Sequence, residues 1–269
     1  MLDMTQLLPK VEAAVRNAAA FTAARFTSVE KESVCNIVTS ADLAVQKYLN
    51  ETLCALVPGS GFFGEEGSSG DPDGEYLWIV DPIDGTMNFS RGIGEFCISV
   101  ALLHQEEAAL AVVYQPSKDK IYTAIRSKGA YCNGKPIHVS NASFAEGLFC
   151  TAMSLYRKEY APACMAVISE AYESCNDVRR FGSCALELCY LAEGVCDLFF
   201  EFRVFPWDYA AAFLILREAG GCICGEQGEP LRFDKASPII AANSEENLQK
   251  LLTIVTKHIP KFPYREVFR

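Results

Sequence analysis

An α/β protein of layered helices and sheets is what this chain predicts. Three observations carry that reading: helix-period stretches near residue 1, short apolar runs from Tyr76 to about Val139, and alternating helix and strand texture after that. With 269 residues, half of them hydrophobic, the chain is long enough to bury a sizeable core.

Met4, Leu7, Leu8, Val11, Val15, Ala18 and Ala19 recur at helical spacing and predict an amphipathic first helix. Thr39 and Ser40 are cap candidates for a second, whose apolar face runs through Val45, Tyr48, Leu49, Leu53 and Leu56 until Pro58 and Gly59 close it. The runs Leu77–Val80, Ile98–Leu103 and Ala109–Tyr114 lie between Asp, Pro, Gly and Asn punctuation and are read as strands. Helices are then expected over Ala161–Tyr172 and Ser183–Ala192, a strand over Asp197–Phe202, and a helix over Trp207–Ala219 that Gly220 and Gly221 stop. Strands near Cys222–Cys224 and Pro238–Ala242 and a helix from about Glu245 to Lys257 complete the pattern. No internal repeat, low-complexity tract or Pro/Ser-rich linker divides it. A single unit over 1–269 is expected, with closely packed halves 1–140 and 141–269.

A formal net charge of -10 argues against a nucleic-acid partner, since phosphate-backbone sites need concentrated basic surface. The twelve cysteines are scattered, with Cys222 and Cys224 the closest pair, so neither disulfides nor structural zinc are expected. Residues 1–21 lack a basic segment followed by an apolar one, and no run approaches the ~18 apolar residues of a membrane span. The expectation is a cytoplasmic protein with no membrane partner.

Chemistry concentrates in Trp78-Ile79-Val80-Asp81-Pro82-Ile83-Asp84-Gly85-Thr86-Met87-Asn88-Phe89, where an apolar strand runs into two aspartates three positions apart. Carboxylates at a strand's C-terminal end can be aimed into one crevice, and Mg²⁺ prefers such oxygen donors. Pro82 removes a backbone donor and leaves the Ile83 carbonyl as a further oxygen ligand. Gly85 has no Cβ, so an anion can approach the Gly85 and Thr86 N–H groups. A further acidic pair, Glu65-Glu66, lies in the Gly-rich loop Gly64–Gly70, and Asp208 falls in the first turn of a helix opened by Pro206-Trp207. Taken singly, these are a solvated turn, an exposed loop and a helix-dipole partner; together they suggest a metal cluster.

These segments resemble the inositol monophosphatase family. Gly64-Glu65-Glu66, the Trp78–Phe89 segment and Trp207-Asp208-Tyr209-Ala210-Ala211 are similar to its three metal-binding motifs, in the same order. Asn36-Ile37-Val38-Thr39-Ser40-Ala41-Asp42 resembles its early Asp-bearing motif, and Arg180-Phe181-Gly182-Ser183-Cys184-Ala185 its substrate-side motif. The resemblance spans about residues 4 to 255. It implies an αβαβα sandwich shared with fructose-1,6-bisphosphatase, Mg²⁺-dependent and Li⁺-sensitive phosphoric monoester hydrolysis, and a homodimer. Two to three Mg²⁺ ions are implied: Glu65, Asp81 and the Ile83 carbonyl on the first, Asp81, Asp84 and Asp208 on the second, and Glu65 facing a weaker third. Thr86 and Asp42 are implied to orient and deprotonate the attacking water, with Glu65 assisting. Gly85 and Thr86 are implied to bind phosphate, and Asp84, Ser183, Cys184 and Glu201 to contact the polyol or sugar. Lys31 falls where relatives carry a basic residue near the third metal.

Two departures bear on substrate: Cys184 stands in place of a common alanine, and Arg203 stands two residues after Glu201 where glycine or a neutral residue is frequent. Inositol monophosphate is the expected substrate. Fructose 1,6-bisphosphate, 3′-phosphoadenosine 5′-phosphate and histidinol phosphate are alternatives in the superfamily, although Asn88-Phe89 after the Asp-Gly-Thr turn favours the inositol branch. A haloacid-dehalogenase mechanism fails because Pro82 occupies its nucleophile position. A non-catalytic regulator is disfavoured by the retention of every expected carboxylate and of Thr86.

Overall fold

The computed structural model describes residues 2–24, 26–33, 36–153 and 158–259, with the side chains of 30–37 outside the description. Lys31 and the start of the Asn36–Asp42 motif therefore lie outside the described side chains. Among the described residues, three sheets form. A small hairpin pairs β1 (Ser28–Ser33) with β2 (Asn36–Thr39).

The large sheet has eight strands: β3 (Gly61–Gly64), β4 (Gly67–Ser69), β5 (Tyr76–Asp84), β6 (Cys97–His104), β7 (Glu107–Gln115), β8 (Lys120–Ile125), β9 (Ala130–Cys132) and β10 (Lys135–Pro136). Their order is β10-β9-β8-β7-β6-β5-β3-β4, antiparallel except for β3 beside β5. A five-stranded sheet contains β11 (Leu148–Ala152), β12 (Asp177–Arg179), β13 (Leu198–Val204), β14 (Cys222–Cys224) and β15 (Ser237–Ala242), ordered β12-β11-β13-β15-β14. The helices are α1 (Met4–Ala18), α2 (Ser40–Leu56), α3 (Thr86–Ser90), α4 (Ala161–Tyr172), α5 (Cys184–Ala192), α6 (Pro206–Glu218) and α7 (Glu245–His258).

The two-residue period of the strands sorts the chain into layers. Along β5, Trp78 and Val80 pack against α1 and α2 through Val11, Val15, Leu49 and Leu53, while Ile79 points to the opposite face. On that face Ala101, Val113 and Tyr122 meet α5 and α6, including Leu186, Cys189, Ala212 and Leu216. The same inner layer takes Phe199, Ile239 and Ala241 from the second sheet. Leu198, Phe200 and Phe202 point the other way, to Val167 of α4 and to Leu248 and Leu251 of α7. The result is the expected αβαβα order. Each fully buried large apolar side chain in it is worth roughly 1.5–3 kcal/mol of transfer free energy.

Several elements differ from the sequence reading. The second helix starts at Ser40, as the cap candidates indicated, with Thr39 as its cap; the capping box that Asp42 completes was not foreseen. Helix α3 and strands β1–β4, β11 and β12 were not anticipated; each spans six residues or fewer, too few to show a period, while β8–β10 fall inside the stretch read as strands. Cysteines among the described residues are free thiols.

Candidate active site

In a regular strand, residues three positions apart point to opposite faces, so Asp81 and Asp84 could not share a crevice if β5 were ideal. The ladder with β6 shows how they do. Asp81 pairs with Ser99 and Asp84 with Cys97, so Pro82 and Ile83 together stand opposite the single residue Ile98. This bulge resets the alternation, and Pro82 sits where no ladder donor is missed. Asp84 thereby joins Asp81 on the face that Ile79 presents to the inner helical layer.

Asp208 arrives from the first turn of α6. Pro206 opens that helix, and the Asp208 Oδ2 accepts a hydrogen bond from the Phe205 N–H at 2.7 Å. The ligand oxygens of Asp81, Asp84 and Asp208 all lie within 4.8 Å of one another. Burial raises the Asp81 carboxyl well above the usual range, and the charges of Glu65, Asp84 and Asp208 push it further. Asp208 is raised the same way, by burial first and then by Asp84 and Glu65. Three close, desolvated, oxygen-only donors suit a hard divalent cation, which would remove the repulsion that raises them.

The structure cradles Asp84 in a way the sequence did not reveal. Its Oδ2 accepts from the Ser183 hydroxyl at 2.6 Å and from the Ala185 N–H at 2.7 Å, at the N-terminal end of α5. Burial lifts its carboxyl to about 6, against the pull of these hydrogen bonds. Ser183, expected to touch the polyol, thus spends its proton on Asp84. A second buried carboxylate, Glu187, accepts from the Phe181 and Gly182 N–H groups at 2.5 and 2.8 Å and fixes the turn before Ser183. Burial raises it to about 7. Its signal in the sequence was a lone charge in the otherwise apolar Cys184–Ala192 stretch.

Glu65 sits in the turn between β3 and β4, tied to β5 by its N–H bond to the Val80 carbonyl at 3.2 Å. It lines the same cleft but stands outside the tight trio. The turn leaves no room beside Gly64, where a Cβ would run into the Gln46 side-chain amide.

Gly85 adopts φ 91°, ψ 36°, the left-handed region, and caps α3; a Cβ there would come within 2.9 Å of the Glu95 carbonyl. Thr86 donates to the Ile83 carbonyl at 2.9 Å, with the Asp42 Oδ1 at 3.5 Å. Asp42 is fully buried, its other oxygen capping α2 through the Thr39 N–H at 2.8 Å, and burial raises it to about 6. Asn88 ties α3 to the second half of the chain by donating to the Glu95 and Phe181 carbonyls, each at 2.7 Å.

Glu65, Asp81, Ile83, Asp84, Gly85, Thr86 and Asp208 line one cleft of about 770 Å³ together with Ser183, Cys184 and Glu201. Burial pushes the Cys184 thiol well up, so it is an inert apolar wall. Glu201 is raised by burial and then by Glu187. Arg180 and Arg203 also face this cleft.

A layered αβαβα fold with a buried oxygen-donor centre at the end of a central strand defines a protein built to hold a divalent cation beside a small ligand. Comparison with known proteins is specific: the sequence model of the inositol monophosphatase family matches residues 3–259. The chain belongs to the inositol monophosphatase family and is a phosphatase of that superfamily. Nus factor SuhB of Salmonella typhimurium is 36% identical over 190 residues, 70% of this chain and 71% of the relative. The inositol monophosphatase of Anabaena superposes with a TM-score of 0.84 at 28% identity, covering 97% of this chain and 99% of that one. The IMPase of Thermotoga maritima does so with 0.83 at 30% identity, covering 94% and 97%. No helix among the described residues is long and apolar enough to cross a membrane.

Proposed function

We propose that this chain hydrolyses the phosphate monoester of a small polyol, inositol monophosphate foremost, in a Mg²⁺-dependent reaction. The observation that carries the proposal is the convergence of Asp81, Asp84 and Asp208, from two distant stretches of chain, at the floor of a cleft edged by Gly85 and Thr86. Glu65, Asp81, the Ile83 carbonyl, Asp84 and Asp208 are the residues that would hold two to three Mg²⁺ ions; the Ile83 carbonyl keeps a lone pair beyond the one Thr86 uses. When bound, the metal contributes Lewis-acid charge at phosphorus and lowers the pKa of water.

The chain's own residues do the rest. Ser183 and Ala185 aim Asp84, and the Gly85 turn presents backbone N–H groups to the equatorial phosphate oxygens. The Thr86 hydroxyl lies between the Ile83 carbonyl and Asp42, placed to accept and relay a proton from an attacking water. Asp42, at about 6, is ionised at neutral pH and able to receive it. Glu201 would accept hydrogen bonds from polyol hydroxyls.

Phosphate release from inositol 1-phosphate, fructose 1,6-bisphosphate, 3′-phosphoadenosine 5′-phosphate and histidinol phosphate, with and without Mg²⁺, tests this reading. Mg²⁺-dependent turnover of inositol 1-phosphate is the expected result, with inhibition by Li⁺; no turnover of any of the four refutes it. A role beside catalysis is favoured by one observation, that curated relatives bear the name Nus factor. That name leaves the expectation of no nucleic-acid partner without support.

A further inference from the structure

The three clustered aspartates are aimed by hydrogen bonds to their own oxygens. The Asp81 Oδ1 accepts from the Ile83 N–H at 3.0 Å, the Asp84 Oδ2 from Ser183 and Ala185, and the Asp208 Oδ2 from Phe205. Glu65 stands outside that trio and reaches the cleft from the two-residue turn Glu65-Glu66 between β3 and β4. That turn is a poor anchor by itself. Strand β4 is an edge strand of three exposed residues, so burial contributes little to holding it. The two-residue loops whose twist suits a hairpin, types I′ and II′, need positive φ at the first central residue, and neither Glu65 nor Glu66 has it.

Helix α2 supplies the hold. Gln46 is buried, and both ends of its side-chain amide are used on the turn: Oε1 accepts from the Glu66 N–H at 2.9 Å, and Nε2 donates to the Gly67 carbonyl at 3.3 Å. With the Glu65 N–H bonded to the Val80 carbonyl at 3.2 Å, the backbone is pinned on both sides of the Glu65 Cα. Gly64 completes the fit, because a Cβ there would overlap Oε1 and come within 2.8 Å of Cδ of that amide. Gln46 lies four residues after Asp42, on the same face of α2. One helical turn therefore holds both the Asp42 carboxylate near Thr86 and the loop that carries Glu65.

We propose that Gln46 is a positioning residue for the metal centre, its side-chain amide clamping the Glu65-Glu66 turn so that the Glu65 carboxylate is presented to the cleft. This deepens the phosphatase reading above and rests on it. Mg²⁺ demands near-octahedral oxygen geometry, and a ligand on a loose turn meets that demand poorly, since binding would have to order the turn as well. Gln46 therefore governs the cation that Glu65 helps to hold and leaves the one on the aspartate trio alone.

The test is calorimetric titration of Mg²⁺ into the full chain without substrate, with Glu65→Gln as the reference that marks the binding phase Glu65 supports. Gln46→Met, of similar size but without either hydrogen bond, should weaken that phase by about 10–100-fold and leave the phase of the aspartate trio within about twofold. Combined with Glu65→Gln it should weaken binding no further, because the clamp acts only through Glu65. Gln46→Glu keeps an acceptor for the Glu66 N–H and should fall between wild type and Gln46→Met. Phosphate release should show the same shift in half-saturating Mg²⁺, with substrate KM unchanged once Mg²⁺ saturates. Wild-type affinity in Gln46→Met, equal weakening of both phases, or a further loss in the double variant overturns the clamp. Should Gln46→Met melt early, Gly64→Ala, whose Cβ displaces the same amide, must give the same selective loss; its absence likewise overturns the proposal. The predicted binding pattern without phosphate release from any of the four substrates above refutes the phosphatase reading and leaves the clamp standing.

Discussion

Replacing Asp84 by Asn should abolish phosphate release and, without metal, make the protein more stable. The Asp84 carboxyl is raised from 3.8 to about 6, chiefly by burial. Its folded pKa exceeds its unfolded one, so the folded state keeps a proton that the unfolded chain releases. The charge therefore costs nothing below about pH 4, costs progressively more up to about pH 6, and is fully unfavourable above that. A shift of about two units corresponds to about 3 kcal/mol in metal-free protein at pH 8.

Asn removes that cost. Its amide oxygen can still accept from Ser183 and Ala185, while its NH₂ turns toward the remaining carboxylates, whose own raised pKa values owe part of their shift to Asp84. At roughly 2–4 °C per kcal/mol, the metal-free variant should melt about 6–12 °C above metal-free wild type at pH 8, the gap closing toward pH 4. Added Mg²⁺ should then raise the melting temperature of wild type far more than that of the variant. Calorimetry with chelator or Mg²⁺ reads all of this. A variant that melts lower than wild type in chelator at pH 8, or that still releases phosphate, refutes the reasoning.

Other outcomes follow from the same geometry. Ser183→Ala deprives Asp84 of its 2.6 Å donor and should raise the half-saturating Mg²⁺ concentration by about 10–100-fold; a changed substrate KM with unaltered Mg²⁺ dependence would return Ser183 to substrate contact. Gly85→Ala forces a side chain into left-handed backbone at about 1–2 kcal/mol, with a further clash against the Glu95 carbonyl. It should lower both the melting temperature and kcat, and a fully active variant contradicts the role of that turn. Asp42 acts as its carboxylate, so log kcat/KM should climb with slope one as pH rises to about 6 and then level; Asp42→Asn should lose that limb together with most activity.

How much of this was legible in the sequence varied with the physics involved. The helical stripes of α1 and α7 announced themselves because their period persists over several turns, and β5 to β7 because they are unbroken apolar runs bounded by turn residues. Strands as short as β4, β9 and β10 carry no period and exist only because neighbouring strands pair with them. Layer order came from resemblance, since nothing local states which face of β5 meets which helix. The carboxylates could be picked out as residues, but their convergence depends on a bulge at Pro82 that propensity does not encode. Glu187 and the bond from Ser183 to Asp84 were passed over because these partners, like the Phe181–Gly182 amides, are defined by folding rather than by spacing.

The most direct measurement is a crystal of the protein soaked in Mn²⁺, with anomalous scattering used to locate the ion. A peak bridging Asp81, Asp84 and Asp208, with carboxylate oxygens within about 2.5 Å, is the predicted result. Mn²⁺ found elsewhere with that trio empty would contradict the account.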